Sequence, residues 1–373
     1  MWKWVQRGLS GAGLVVVSVG LVAVPATGDG AGLQSAERLN PPARRASFAF
    51  TGDILTHRPV NNAALQPNGS HDYAPMFAPI APLLSWADVA VCHLEQPVAP
   101  PGTPVNGDAV RHSSAASIAT ALRSSGYDRC STASNHNLDR GIAGIDATVT
   151  ALTAAGVGQS GMARSPGEAI PQVFDVNGIA VAHLSYAYHL GGELPAGESW
   201  RANLIDPATI IAAARDARAR GAEVVIASLH WGSAAQSTPS AYQRQVGHAV
   251  TASGEIDLVV GHHAHVLQPI EQVNGTWVVW GLGNLISNMP FSFWPASTQD
   301  GAIVTVVVSR EEDGRVTVER PLVYPTWYDK ARGYVVHPTS ARHDASLPLS
   351  VRISLGASEA RTRAVLGPFF GPG

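Results

Sequence analysis

Short apolar runs rich in β-branched residues alternate along this chain with helix-like segments, and this alternation restricts the fold more than any other feature. The runs predicted as strands are residues 47–52, 88–94, 179–185, 223–229, 257–261, 276–280 and 302–308. The segments predicted as helices between them are residues 114–125, 144–155, 207–220 and 239–253. Strands that alternate with helices indicate a layered α/β fold.

The composition fits a folded domain and argues against a nucleic-acid partner. Hydrophobic residues make up 45% of the 373 residues, which is enough for a sizeable core. The formal net charge is −3, whereas a nucleic-acid-binding protein normally has a basic face. We therefore predict a globular protein that does not bind nucleic acid.

The N-terminal residues have the pattern of an export signal. Lys3 and Arg7 precede an apolar run at residues 9–24, which is short for a membrane span of ~20 residues. Cleavage of the signal and its retention as an anchor both stay open. We assign residues 1–27 to this signal or anchor and residues 28–46 to a flexible spacer. The expected location is extracytoplasmic, either secreted or anchored to the membrane by the N-terminus.

Cys92 and Cys130 are the only cysteines, and both follow strand-like runs. Outside the cytosol they could form a disulfide across neighbouring strands. Two buried free thiols are an equally good interpretation. Nothing in the sequence specifically activates either residue as a nucleophile.

Side chains able to bind metal follow several predicted strands. In chain order they are Asp53, His57, His93, Glu95, Asn135, His136, Asp139, His230, His262, His263 and His265. Ligands of open α/β sheets bind beyond the carboxyl ends of the strands, so these side chains are expected to meet there.

The pair His263 and His265 is the sharpest local feature. Side chains two residues apart in an extended chain point to the same face, so the two imidazoles should converge. The other candidates each have a purely structural explanation. Asp53 could cap a helix, Glu95 could be solvated, and Asn135 could belong to a turn.

The candidate ligands offer oxygen and nitrogen but no thiolate, which suits Mn²⁺, Fe²⁺ or Zn²⁺. The set is Asp53, His57, Glu95, Asn135, His230, His263 and His265. It exceeds the needs of one tetrahedral ion. We therefore predict two divalent transition-metal ions with a bridging carboxylate, a centre that activates water and holds substrate oxygens.

Six short segments occur in a recognisable order. They are FTGDILTHRPV at 50–60, HLEQPV at 93–98, SNHNLDRG at 134–141, LHWG at 229–232, GHHAHVLQPIE at 261–271 and GLGNLI at 281–286. Through them the chain from residue 48 to about residue 286 resembles the CapA family of capsule-synthesis proteins, also called the poly-γ-glutamate synthesis family. That family is a branch of the calcineurin-like metallophosphatase superfamily.

The resemblance implies a four-layer α/β/β/α metallophosphatase-like sandwich with a dinuclear metal centre. The CapA-like domain would span residues 47–333, and residues 334–373 would form a C-terminal extension without an assigned structure. Six residues match metal-ligand positions of the superfamily: Asp53 and His265 for the first ion, Glu95 for the bridge, and Asn135, His230 and His263 for the second ion. By the same resemblance, His136 would protonate the leaving group and Asp139 would orient it.

Three positions depart from the family pattern. His57 follows Asp53 by four residues instead of two, so it would be a ligand or a nearby substrate contact. His93 replaces the usual asparagine before the Leu-Glu pair, and Ser134 replaces the first of two asparagines. These departures leave the identity of the metal open.

The segment at residues 288–300 contains Phe291, Phe293 and Trp294. Its aromatic side chains would either pack on the domain or form a rim over the metal site.

Two functions fit these features. The first is an exported metal-dependent hydrolase that acts on a phosphoester, or on an amide or ester, in the cell envelope. The second is a non-catalytic envelope component that binds an anionic polymer such as poly-γ-glutamate and assists membrane-bound capsule synthase components. His136 favours the hydrolase, because a binding protein needs no acid for a leaving group. An amidohydrolase barrel would have its His-x-His pair after the first strand, and the HExxH sequence of a zinc peptidase is absent.

Overall fold

The computed structural model describes residues 43–107 and 110–371. The predicted signal and most of the predicted spacer lie outside these residues. The first strand begins at Arg44, earlier than the predicted start of the domain at residue 47. None of the helices in the described residues has the length and apolar content that crossing a membrane requires.

Two sheets and eight α-helices make up the described chain. The strands are β1 Arg44–Ile54, β2 Val89–Leu94, β3 Arg129–Ser131, β4 Gly158–Ser160, β5 Val173–Val176, β6 Ile179–Ala187, β7 Val224–His230, β8 Leu258–His262, β9 Ile270–Val273, β10 Thr276–Val279, β11 Asn284–Ile286, β12 Asp300–Arg310, β13 Val316–Val318, β14 Leu322–Asp329 and β15 Val335–Pro338. The α-helices are α1 Arg58–Ala64, α2 Ala74–Phe77, α3 Ala81–Leu84, α4 Ser117–Ser124, α5 Gly141–Ala154, α6 Pro207–Ala219, α7 Ala241–Ala252 and α8 Leu349–Leu366. The 3₁₀ turns are Ala78–Ile80, Ser199–Arg201, Ala296–Gln299, Thr339–His343 and Gly367–Phe369.

Parallel strands form the centre of each sheet. The nine-stranded sheet has the order β15-β14-β12-β1-β2-β3-β4, with β11 beside β1 and β13 beside β12. The six-stranded sheet has the order β5-β6-β7-β8-β10-β9. Strands β1 to β4 are parallel in the first sheet, as are β6, β7, β8 and β10 in the second. The carboxyl ends of these strands therefore lie at one edge of each sheet.

The two sheets pack face to face through apolar side chains. Phe48 and Phe50 on β1 belong to one buried cluster with Ile226 and Val260 of the second sheet. Ala49, between the two phenylalanines, belongs to a different cluster on the outer face. This alternation follows the two-residue period of a strand, and it makes both faces of β1 apolar.

Helices cover the outer face of each sheet. The first sheet packs on α4 and α5 through Ile118, Leu122 and Leu152. The second sheet packs on α6 and α7 through Ile210, Ala214, Val246 and Val250. The layers are therefore helix, sheet, sheet and helix, which confirms the predicted four-layer α/β/β/α sandwich.

All seven predicted strands and all four predicted helices are present, with ends shifted by at most three residues. Helix α7 starts from a capping box in which Ser240 Oγ accepts from the Gln243 backbone, and the Gln243 side chain accepts from the Ser240 backbone. Residues 334–373, left unassigned from the sequence, contain β15 and α8. Strand β15 pairs with β14, and Val351 and Leu355 of α8 pack on Trp327, so this part of the chain extends the first sheet.

The two cysteines form a disulfide. Cys92 on β2 and Cys130 on β3 are directly paired in the strand register, and both side chains are buried. Of the two interpretations left open by the sequence, the structure has the bonded one.

Removing this disulfide is expected to destabilise the fold. The bond closes a loop between residues 38 positions apart, so its loss should lower the free energy of unfolding by about 2–4 kcal/mol. The measurement is denaturant unfolding of the oxidised protein and of a Cys92→Ala, Cys130→Ala double variant. A reducing agent should change the first curve and leave the second unchanged. Coincident unfolding curves of the oxidised protein and the double variant would contradict the bond.

Candidate metal centre

Polar side chains meet where the central strands of the two sheets end. Asp53 near the end of β1 is the register partner of His93 on β2, and His230 at the end of β7 is the partner of His262 on β8. The rings of His93 and His262 stack across the two sheets with centroids 4.0 Å apart. The structure therefore has the predicted cluster of polar side chains beyond the carboxyl ends of the strands.

Glu95 lies at the middle of this cluster and has no exposed surface. Its Oε1 is 3.8 Å from His265 Nε2, and 3.9 Å from the Nε2 atoms of both His230 and His136. Neither carboxylate oxygen has a hydrogen-bond partner. Burial raises the pKa of Glu95 well above its usual value, although the nearby His265 opposes this shift. The alternative of a solvated glutamate is excluded.

Asp53 is held by the last residue of β8 and by the loop that follows it. Its Oδ1 lies 3.2 Å from His262 Nδ1, and its Oδ2 lies 3.1 Å from His265 Nδ1. The backbone N–H of His263 also donates to Oδ2, at 3.1 Å. Burial by itself would raise the pKa of Asp53, but the two imidazoles outweigh it and hold this pKa well below its usual range. Asp53 lies within a strand, so it does not cap a helix.

His263 and His265 converge by a geometry different from the predicted one. Strand β8 ends at His262, and His263 and His265 then have left-handed φ values of 81° and 57°. The expectation of an extended chain was therefore wrong. Their ring centroids are nevertheless 5.5 Å apart, because a strained turn brings the side chains together. Left-handed backbone in bulky residues is costly and is concentrated at functional sites.

His265 is the positively charged residue of this cluster. Burial lowers the pKa of this imidazole, but the carboxylates of Glu95 and Asp53 outweigh burial and raise it to about 9. A protonated His265 at neutral pH thus places a positive charge beside the carboxylate of Asp53, whose pKa is held low. A bound cation would replace that proton.

His230 and Asn135 form the other side of the cluster. His230 Nε2 lies 2.7 Å from Asn135 Oδ1, and the His230 ring is 4.7 Å from the ring of His263. Burial, together with the neighbouring His263, lowers the pKa of His230 well below its usual value. Burial likewise lowers the pKa of His263 to about 3. Both rings are therefore neutral, the form in which histidine binds metal.

His136 and Asp139 are paired beside these ligands. His136 Nδ1 lies 2.7 Å from Asp139 Oδ2, which also accepts the backbone N–H of His112 at 2.7 Å. The His136 side chain is 17% exposed, so its Nε2 lies between the buried cluster and solvent. The predicted pairing of these two residues is present.

His57 is not brought into the ligand cluster. None of the groups of His, Asp and Glu ligand atoms that lie close together in the described residues includes it. Its ring lies 4.7 Å from that of His112, and its Nδ1 accepts the backbone N–H of Asn288 at 3.1 Å. Burial and the nearby His112 lower its pKa to about 3. Of its two predicted roles, the contact beside the site fits this position, and the ligand role does not.

The segment at residues 288–300 touches the site through its first residue. Asn288 contacts His57, and its side chain accepts the Tyr334 hydroxyl at 2.6 Å. Phe291 and Phe293 are 60% and 83% exposed, whereas Trp294 is half-buried, and the Phe291 ring lies 4.5 Å from Lys330 Nζ.

His93 and His262 were expected at the strand ends but were left out of the predicted ligand set, and Tyr188 was not predicted at all. His93 and His262 belong to the buried groups whose ligand atoms lie within 4.8 Å of one another: Asp53, His93 and His262; His93, Glu95 and His230; Glu95, His263 and His265. Tyr188 lies at the mouth of the site, 41% exposed, with its ring 4.7 Å from that of His263. The two-residue period of β2 places His93 on the same face as Glu95 and could have identified it. Tyr188 has no such signal.

The donors present suit a divalent cation. Unpaired oxygens of a buried carboxylate are costly unless a positive charge satisfies them. Imidazole, carboxylate and amide oxygen are ligands that Mn²⁺, Fe²⁺ and Zn²⁺ accept. The members of the predicted ligand set that lie in or directly beside the close ligand groups are Asp53, Glu95, Asn135, His230, His263 and His265. A sandwich with such a cluster at its strand ends is the architecture implied by the resemblance to metallophosphatases.

Residues 47–289 match the model of the family described as bacterial capsule synthesis protein PGA_cap. The match covers more than half of the chain, and the chain belongs to this family.

Two relatives and one solved structure place this membership in context. The chain is 27% identical over 276 residues to the PGA biosynthesis protein CapA of Bacillus subtilis, covering 73% of this chain and 70% of the relative. It is 26% identical over 268 residues to the capsule biosynthesis protein CapA of Bacillus anthracis, covering 70% of this chain and 63% of the relative. It is also similar to the calcineurin-like phosphoesterase YfkN from Bacillus subtilis, with 14% identity, a TM-score of 0.46, and coverage of 86% of this chain and 98% of the other. The similarity to this solved structure identifies no activity of the present chain.

Proposed function

We propose that this chain is an exported cell-envelope hydrolase of the CapA type, which uses two divalent transition-metal ions and acts in capsule or polyglutamate synthesis. The observation that carries the proposal is Glu95, a fully buried carboxylate with both oxygens unpartnered among three imidazoles. The names of the two CapA relatives support the link to an anionic envelope polymer.

The protein side of the mechanism begins with holding the ions. Asp53 and His265 would hold one, Asn135, His230 and His263 the other, and Glu95 would bridge them. When bound, such ions polarise substrate oxygens and supply an activated water. The walls of the site are buried, so its electrostatic interactions act at low effective dielectric and are stronger than in water.

His136 would protonate the leaving group. Asp139 accepts the Nδ1 proton of His136 and so fixes the orientation of the ring. The proton for the departing oxygen would then come from Nε2, the ring atom that lies nearer to Glu95. A general acid in this position typically contributes ~10²–10⁴-fold to the rate.

A second function is favoured by the relatives' names, which refer to biosynthesis and not to hydrolysis. In that case the chain would bind an anionic polymer without cleaving it and assist membrane-bound synthase components. Hydrolysis of generic phosphoesters in the presence of Mn²⁺ would distinguish the two functions, because the binding protein would have no such activity.

Metal content tests the proposed function directly. Protein purified from metal-replete medium should contain more than one transition-metal ion per chain, because the donors exceed the needs of one site. Elemental analysis with a matched protein determination gives this ratio. A ratio near zero that added Mn²⁺, Fe²⁺ or Zn²⁺ does not raise would disprove the metal centre.

The proposed location can be tested with a reporter. Residues 1–46 fused to an enzyme that is active only outside the cytosol should give an active reporter, since Lys3, Arg7 and the apolar run form an export signal. A control fusion without residues 9–24 should be inactive. Equal activity of the two fusions, or mature-size protein in the cytosol, would count against export.

A further inference from the structure

His93 is one of the three positions that depart from the family pattern, and it lies beside the candidate metal ligands. Its side chain is fully buried. Nδ1 is 2.8 Å from Ser131 Oγ, and Nε2 is 2.9 Å from His230 Nδ1. Because both ring nitrogens have hydrogen-bond partners, His93 has no lone pair left for a metal ion.

We propose that His93 is a positioning residue that makes His230 Nε2 a metal ligand by accepting a hydrogen bond from His230 Nδ1–H. The inference rests on the proposed function, since it concerns the same centre. It assigns a role to a residue that contacts neither substrate nor ion.

The surroundings of Ser131 allow the direction of the hydrogen bonds that this role requires. Its hydroxyl has a single hydrogen, and the carbonyl oxygen of Cys92, at 3.2 Å, is an acceptor to which that hydrogen can be donated. With the hydrogen directed to Cys92, Ser131 Oγ accepts from His93 Nδ1–H at 2.8 Å. His93 Nε2 is then left with a lone pair, which accepts from His230 Nδ1–H.

This hydrogen-bond direction determines the state of the other ring nitrogen of His230, Nε2. With its proton on Nδ1, His230 has a lone pair on Nε2, which faces Asn135 Oδ1 at 2.7 Å and Glu95 Oε1 at 3.9 Å. Three acceptors that converge in this way repel one another unless a cation lies among them. Metal-bound histidines commonly donate their other N–H to a fixed acceptor, and losing that acceptor typically costs about 10–100-fold in metal affinity.

His93 also steadies the other half of the site. Its ring stacks on His262 with centroids 4.0 Å apart and an interplanar angle of 13°. His262 Nδ1 in turn lies 3.2 Å from Asp53 Oδ1. The ring of His93 thus joins the sheet that holds Asp53 to the sheet that holds His230.

The test compares the affinity of the purified protein and its variants for Mn²⁺, with free Mn²⁺ measured by electron paramagnetic resonance. His93→Phe keeps a flat ring for stacking but has no acceptor, and it should weaken Mn²⁺ binding by about 10–100-fold. His93→Gln offers an amide oxygen to His230 and should recover part of this loss. The matched control is His183→Phe, because His183 is equally buried and pairs with Ser228 Oγ at 2.9 Å but belongs to none of the close ligand groups in the described chain. His183→Phe should lose stability and keep its Mn²⁺ affinity.

A second measurement needs no variant. Nitrogen NMR of the Zn²⁺-loaded protein should find the proton of His230 on Nδ1. Wild-type affinity in His93→Phe, an equal loss in His183→Phe, or a proton on Nε2 of His230 would each overturn the inference. If the wild-type protein binds neither Mn²⁺ nor Zn²⁺, the proposed function itself fails, which is a different result from intact binding that His93 does not affect.

Discussion

Replacing Glu95 by glutamine is expected to remove metal from the site and to lower hydrolysis by about 10³-fold or more. The substitution keeps the size of the side chain and removes the negative charge that would bridge the ions. A metal centre supplies several kcal/mol of transition-state stabilisation, and ~4 kcal/mol corresponds to a factor of about 10³ in rate. Metal per chain and kcat on a phosphoester are the two measurements.

The same substitution, Glu95→Gln, should not destabilise the metal-free protein. Glu95 is a buried carboxylate without hydrogen-bond partners, and burial raises its pKa, so this residue opposes folding when no cation is bound. Metal-free Glu95→Gln should therefore unfold at a denaturant concentration no lower than that of the metal-free parent. The control is Glu319→Gln, which removes one partner of an exposed ion pair with Arg45 and should change neither metal content nor rate. Full metal content in Glu95→Gln would refute the bridging role.

Replacing His136 by alanine is expected to lower kcat by about 10²–10⁴-fold on a substrate with a poor leaving group. The loss should be much smaller on a nitrophenyl ester, because nitrophenolate departs without a proton. Metal content should stay near that of the parent, because the proposed ligands are other residues. Kinetics on the two substrates, together with elemental analysis, give the result.

His263→Ala is the contrasting variant for this experiment. It removes a proposed ligand and should lose metal and activity on both substrates together. If both histidines were merely structural, both variants would lose thermal stability, and they would not differ in metal content or in their activity on the two substrates. Equal losses on the two substrates in His136→Ala, with metal retained, would disprove the acid role.

Much of the architecture could be predicted from the sequence, because local periodicity determines it. Both faces of β1 are apolar, since Phe48 and Phe50 face the second sheet while Ala49 faces the helices. Such a strand must be covered on both sides, and the alternating helices supply one cover. The C-terminal part was less predictable, because the packing of α8 on Trp327 and the pairing of β15 with β14 depend on residues distant in sequence.

The candidate ligands could be named from the sequence because they directly follow apolar strands, and parallel strands end at one edge of a sheet. Two features of the site needed the tertiary structure. His263 and His265 converge through left-handed backbone, which no local pattern indicated. His57 is turned towards Asn288, although it is near Asp53 in sequence.

The bond between Cys92 and Cys130 and the contacts of His93 were likewise settled only in three dimensions. The register between β2 and β3 pairs the two cysteines, and the packing of one sheet on the other brings His93 to His230. By itself, the sequence determined which residue types stand at the strand ends, and hence the class of chemistry available there. Tertiary structure decided which of these side chains meet, because register, sheet packing and backbone strain depend on contacts between residues far apart along the chain.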